Sequence, residues 1–107
     1  MEEHIVVLCT IPDEKTGLDM AEKLVAEKLA ACVNLSGGLT SVYRWQEKIE
    51  KETESLLIIK TRRILFSALE ERIISLHPYQ VPEIIALPIL KGHPPYLDWI
   101  RKETSQG

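Results

Sequence analysis

The sequence predicts an α+β protein of the ferredoxin-like, split-βαβ type, and three observations carry that prediction. Apolar runs of strand length and apolar stripes of helical period succeed one another in the order β-α-β-β-α-β, followed by a short terminal helix. Two β-prone stretches meet across a two-residue connection in the middle of the chain. The 107 residues, 45% of them apolar, are enough for one domain with a real core and too few for two, so residues 1–107 are read as a single domain.

The first strand is the run Ile5-Val6-Val7-Leu8-Cys9, which stops before Pro12-Asp13, a helix-start signal. Leu18, Ala21, Leu24, Val25, Leu29 and Cys32 then recur at three- and four-residue steps among charged neighbours, which predicts an amphipathic helix. Val33 to Trp45 and Lys48 to Thr61 read as a hairpin around Gln46-Glu47, with Gly37-Gly38 marking a bulge in its first arm. A second helical stripe starts at Ile64 or Leu65, runs through Ala68, Leu69, Arg72 and Ile73, and ends at Leu76. Ile84 to Leu87 is the fourth strand, and Tyr96 to Glu103 a terminal helix with Pro95 near its first turn.

In a two-layer monomer the strands should alternate apolar and polar, because one sheet face meets water. Here Ile5 to Cys9, Leu56 to Ile59 and Ile84 to Leu87 are apolar at odd and even positions alike. A second face of that kind needs cover, and one short helix is too little. The economical cover is another copy of the chain, so the sequence predicts a homo-oligomer.

Composition narrows the function. The formal charge is −3 and the basic residues form no stripe, so nucleic acid is not an expected partner. No stretch has the length and apolarity of a membrane span, and the start of the chain carries no cationic leader, which predicts a cytoplasmic protein with no membrane partner. Cys9 and Cys32, far apart and beside apolar residues, read as reduced thiols. A Walker loop, a G-x-S-x-G elbow, a Cys-x-x-Cys pair and a zinc-protease helix are all missing from the sequence, so the expectation is a protein that is not an enzyme.

The segment with most chemistry is His77-Pro78-Tyr79-Gln80-Val81-Pro82-Glu83. Its two prolines hold an imidazole, a phenol, an amide and a carboxylate in few conformations. The same residues also read simply as a helix stop followed by a strand start. In the split-βαβ topology the fourth strand runs beside the first, which brings Cys9 and Thr10 to this loop. Sequence does not say whether the Cys9 and His77 side chains converge.

Several further stretches occur in one order from about Val6 to Trp99. They are Val6-Val7-Leu8-Cys9-Thr10 with Pro12-Asp13, Leu29-Ala30-Ala31-Cys32-Val33-Asn34, Tyr43-Arg44-Trp45 before Lys48-Ile49, Ile59-Lys60-Thr61, the His77 to Glu83 loop, and Tyr96-Leu97-Asp98-Trp99. By these the chain resembles the CutA divalent-cation tolerance family. The resemblance implies a homotrimer of ferredoxin-like subunits, similar in assembly to the PII signal-transduction proteins, with a role in tolerance to divalent metals, copper first. It implies metal ligands at Cys9 and His77, a thiol and an imidazole that suit copper or zinc. No organic cofactor is expected. His4 and His93, in terminal and loop contexts, are weaker candidates.

The chain departs from the family pattern in three places. Leu76 stands where some members carry a second histidine, Gln80 where many carry an acid, and Glu47 where many carry a turn glycine. The resemblance also leaves open a second reading: a PII-like signalling or scaffolding module, with Trp45, Lys60, Tyr79 and Glu83 lining an intersubunit cleft for a small molecule or a protein partner. The charged run from Glu47 to Glu54 is read as a solvated hairpin arm.

Overall fold

The computed structural model describes residues 3–105. Along the chain come β1 (His4–Ile11), α1 (Glu14–Ala26), β2 (Cys32–Trp45), β3 (Lys48–Arg62), a 3-10 turn (Arg63–Leu65), α2 (Phe66–Leu76), β4 (Ile85–Pro88) and α3 (Pro94–Glu103). The strands form one antiparallel sheet in the order β2-β3-β1-β4, the α+β arrangement that the order of elements predicts. None of the described helices is long and apolar enough to cross a membrane.

One sheet face carries the core. Ile5, Val7, Cys9 and Ile11 of β1 lie opposite Thr61, Ile59, Leu57 and Ser55 of β3, all of them buried. Met20 and Leu24 of α1 and Leu69 and Ile73 of α2 close over this face. Each fully buried aliphatic side chain there contributes roughly 1.5–3 kcal/mol. A forked ion pair from Arg72 Nε and Nη2 to the Glu27 carboxylate, at 2.9 and 2.8 Å, links the two helices at their rim.

α1 begins where Asp13 accepts the Thr16 N–H at 2.7 Å, an N-cap that satisfies one of the helix's orphan donors. Its end differs from the expected stripe, which continued to Cys32. The Lys28 N–H bonds to the Val25 carbonyl and the Leu29 N–H to the Leu24 carbonyl, with Lys28 in the left-handed region at φ 62°. That is a Schellman stop, made without glycine. It turns Leu29 back onto the core and leaves Leu18 and Val25 exposed. The second stripe also starts later than expected. Arg63–Leu65 winds as a 3-10 turn, which rotates each residue further than an α-helix does, so Ile64 falls out of phase and is 78% exposed.

The other sheet face is apolar in its middle and largely open. Val6, Leu8, Leu56 and Ile58 are half-buried there, and Ile85 and Leu87 are about half exposed. α3 covers one end only. It is held by His4 Nε2, which donates to the Leu97 carbonyl at 3.0 Å, and by Arg62, which donates to the hydroxyl and the carbonyl of Thr104 at 2.8 and 3.1 Å.

At the opposite end β2 and β3, 14 and 15 residues long, run past the core as a two-stranded arm and stretch the molecule to 45 × 26 × 23 Å. The register shifts between Ser36 and Leu39, where Gly38 has φ 77°, so the expected bulge is present. The tip is a two-residue turn with Gln46 at φ 51° and Glu47 at φ 69°, the sign that a primed hairpin turn requires.

Gly17 shows how tightly α1 seats on the sheet. A Cβ at this position would overlap Ile11 Cδ1 and press on Leu35 Cδ1 at 3.0 Å. Alanine favours a helix by about 1 kcal/mol over glycine, whereas overpacking a filled core costs about 1–3 kcal/mol. Gly17→Ala should therefore destabilise the fold in urea denaturation. A gain in stability would mean that Ile11 has room to turn aside.

Candidate functional site

His77 is the first residue beyond α2, and its backbone is already extended, as expected of a residue before proline. The ring is buried between two partners. Nδ1 accepts the Tyr79 N–H at 3.1 Å, so the proton sits on Nε2, which donates to the Thr10 carbonyl at 2.7 Å. The Tyr79 ring packs against the imidazole at 4.7 Å between centroids, and its hydroxyl donates to Glu54 Oε2 at 2.6 Å. A short chain of contacts thus runs from the end of β1 through the 77–83 loop to the arm.

Cys9 lies on the same turn of this network. Its thiol is fully buried and points to the Thr10 carbonyl, with Sγ at 3.7 Å from the oxygen that also takes the His77 proton. Burial, followed by the nearby charges of Glu83 and Glu54, pushes the thiol up to about 12. The structure therefore brings Cys9 and His77 onto one acceptor, but in a satisfied state: the thiol is protonated and the free electron pair of the imidazole is in use. A metal ligand needs a thiolate and an open imidazole nitrogen. Among the described residues no group of three or more His, Cys, Asp and Glu is arranged to hold a metal. As it stands, the pair is not a preformed metal centre.

His4 is committed to α3, and His93 precedes that helix as an exposed residue. Neither lies at the Cys9–His77 end of the sheet. Cys32 is free and partly exposed, and pairs across the ladder with Lys60.

Beside the His77 network the open sheet face forms a groove of about 810 Å³. Ser41, Tyr43 and Trp45 of β2 and Glu50, Glu52 and Glu54 of β3 form its floor, Thr10 one end, and residues 78–81 with Glu83 its far wall. Trp45, Tyr79 and Glu83 are thus brought together. Lys60, expected beside them, is not: it lies toward the α3 end of β3 and donates to Asn34 Oδ1. The spacing along β3 accounts for this, because Lys60 is six residues, about 20 Å of strand, beyond Glu54.

The arm is solvated as expected over most of its length, but not at its base. Glu54, expected to be solvated with the rest of the arm, is only 5% exposed. The missed signal is positional. Glu50, Glu52 and Glu54 alternate with Lys51 and Thr53, and a period of two puts all three carboxylates on one face. Burial and the neighbouring glutamates hold the Tyr79 hydroxyl above its ordinary range, so the phenol stays a donor.

The buried thiol sets an alkaline limit on stability. In the unfolded chain Cys9 loses its proton near pH 9, and in the folded chain only near 12. Above pH 9 the unfolded state binds fewer protons, so stability falls as pH rises, by about 1.4 kcal/mol per unit from this group. Urea midpoints between pH 8 and 11 should show the fall, and Cys9→Ala should remove it, leaving a later decline from Tyr79. Parallel pH curves for the two proteins would contradict the assignment.

Comparison with known proteins fits this architecture. The chain is 53% identical over 104 residues to the divalent-cation tolerance protein CutA of Thermus thermophilus, covering 97% of this chain and 99% of the relative. It is 48% identical over 100 residues to the chloroplastic CutA protein of Arabidopsis thaliana, but spans only 55% of that relative's length. The crystal structure of CutA1 from Oryza sativa superposes with a TM-score of 0.95 at 45% identity, over 99% of this chain and 97% of that one. The family model for the CutA1 divalent ion tolerance protein matches residues 5–103, and the chain belongs to that family.

Proposed function

We propose that the protein is a non-enzymatic, single-domain homotrimer of the cytoplasm that serves divalent-cation tolerance by binding the cation itself, copper before zinc, at Cys9 and His77. The observation that carries the reading is the convergence of the Cys9 thiol and the His77 ring on the Thr10 carbonyl. A sulfur and an imidazole that share one acceptor are donors that favour copper among divalent ions. Two free thiols agree with a reducing compartment. Support for the trimer is the sheet face that one chain leaves open, where Val6, Leu8, Leu56, Ile58, Ile85 and Leu87 form an apolar surface that is only partly buried.

Binding at this pair has a chemical condition. The cation must displace the Cys9 proton and take the His77 electron pair from the Tyr79 N–H, or the Nε2 proton from the Thr10 carbonyl. Uptake is then linked to proton release and to a shift of the 77–83 loop. Copper affinity of the reduced protein should rise by up to about tenfold per pH unit between pH 6 and 8. Cys9→Ser and His77→Ala should each weaken it, with a double variant that falls short of the sum, because both act on one site. Calorimetry on the metal-free protein measures this, and unchanged copper affinity in the double variant would remove the site from consideration.

A second reading is supported by the groove: a PII-like module whose cleft takes a small molecule or a protein segment. An aromatic and acidic channel of this volume falls in the range of ligand sites. Trp45, 39% exposed in the isolated chain and with few apolar neighbours in the arm, is the residue placed to feel a neighbouring subunit. Sedimentation at micromolar concentration should give a trimer. Trp45→Ala should weaken it by about 2 kcal/mol, as interface aromatics do. A folded monomer would contradict the assembly.

A further inference from the structure

The loop between α2 and β4 is held by one residue. Among the described residues, Tyr79 is the only member of the stretch 78–83 that makes a hydrogen bond, and it makes two: its N–H donates to His77 Nδ1 at 3.1 Å and its hydroxyl to Glu54 Oε2 at 2.6 Å. Pro78 and Pro82 have no N–H to give, and Pro78, Gln80, Val81 and Glu83 are exposed. The two bonds differ in kind. A side chain that accepts from the N–H two residues ahead makes a local turn, which a loose loop also makes and breaks. The Glu54 carboxylate lies 25 residues away on β3 and is 5% exposed, so it belongs to the frame and anchors the loop to it.

The position of residue 79 decides the state of the His77 ring. With the Tyr79 N–H on Nδ1, that electron pair is occupied, and the ring proton stays on Nε2 against the Thr10 carbonyl at 2.7 Å. Cys9 Sγ stands 3.7 Å from the same carbonyl oxygen. A swing of residue 79 away from the ring frees Nδ1, and the bond to Glu54 opposes that swing. A ligand that binds only a minor form has its affinity lowered by the fraction of protein in that form. Hydrogen bonds to charged groups are among the stronger ones, so the latched form dominates, and cutting the bond raises the open fraction.

We propose that Tyr79 is the positioning residue of the His77 site: the bond from its phenol to Glu54 latches the 77–83 loop in the form that keeps the His77 electron pair occupied, and a cation gains the ring only in the form with the latch released. The proposal rests on the reading of Cys9 and His77 as the cation site, and gives that site its gate. It also accounts for a buried carboxylate on β3 whose hydrogen-bond donor comes from a loop.

The test uses Tyr79→Phe, which removes the phenol oxygen but keeps the N–H and the ring that packs 4.7 Å from the imidazole, centroid to centroid. Two readouts need no metal. The residue 79 amide should exchange its hydrogen about tenfold faster in the variant, while the amides of β1 and β3 keep their protection. The nitrogen resonance of His77 Nδ1 should move toward that of an unbonded ring nitrogen. The third readout is calorimetry with zinc alone on the reduced, metal-free full chain, since zinc takes the same donors and leaves a thiol unoxidised. Zinc affinity should rise about tenfold in Tyr79→Phe and in Glu54→Ala, with the double variant no tighter than either, because both cut one bond. Glu54→Gln still offers an oxygen to the phenol and should fall between Glu54→Ala and the parent protein. Unchanged exchange at residue 79 would overturn the latch. So would a zinc affinity in Tyr79→Phe equal to or below that of the parent, with Cys9→Ser and His77→Ala still weakening it. Faster exchange at residue 79 together with zinc binding indifferent to Cys9→Ser and His77→Ala would sink the Cys9 and His77 reading and the gate with it, and leave the latch as a property of the loop.

Discussion

The imidazole of His77 locks the end of β1 to the loop that the sheet order lays beside it. It donates to the Thr10 carbonyl near the end of β1 and accepts from the backbone N–H two residues ahead, so both ring nitrogens are spent on backbone groups. With the ring fixed, Tyr79 is aimed across the open face at Glu54, and the 77–83 loop becomes a wall instead of a tether. Pro78 and Pro82 stiffen what the ring has positioned. The groove, the burial of the Glu54 carboxylate and the orientation of Tyr79 all follow from this one clasp.

The same geometry explains why a thiol and an imidazole on one acceptor are not already a metal centre. Their polar atoms are satisfied by the carbonyl and amide groups around them, and satisfied buried groups are stable as they are. A cation has to compete with a proton and a hydrogen bond. Binding at the proposed site would therefore be linked to the release of that proton.

Much of the fold was legible because it depends on periodicity. The order of elements, the hairpin at Gln46-Glu47, the bulge after Ser36 and the sheet face left uncovered all follow from which residue types recur at which spacing. What was not legible depends on phase and on chain reversal. Leu29 and Cys32 kept the helical spacing of α1, yet the chain leaves the helix at Ala26, because Lys28 adopts a conformation that composition does not advertise. Ile64 had the right spacing for α2 and fell off it when a tighter turn changed the phase. In the site, the loop and its nearness to Cys9 followed from topology, but the satisfaction of both groups did not. Lys60 and Glu54 depart from expectation for one reason: a long strand carries residues far apart and turns alternate ones to opposite faces.

The tip of the arm has a kinetic consequence. Gln46 and Glu47 both adopt left-handed backbone, a conformation that costs roughly 1 kcal/mol or more for a residue with a Cβ. A hairpin usually begins to close at its turn, where the loop to be ordered is shortest. Here the shortest loop is also the strained one, so the turn is a poor nucleus. Pairing is favoured to start at the other end of the arm, where Val33 and Leu35 meet Ile59 and Leu57 against the core, and to zip outward. The tip then closes last and opens first. Opening at the tip therefore leaves undisturbed the layer that keeps the protein folded.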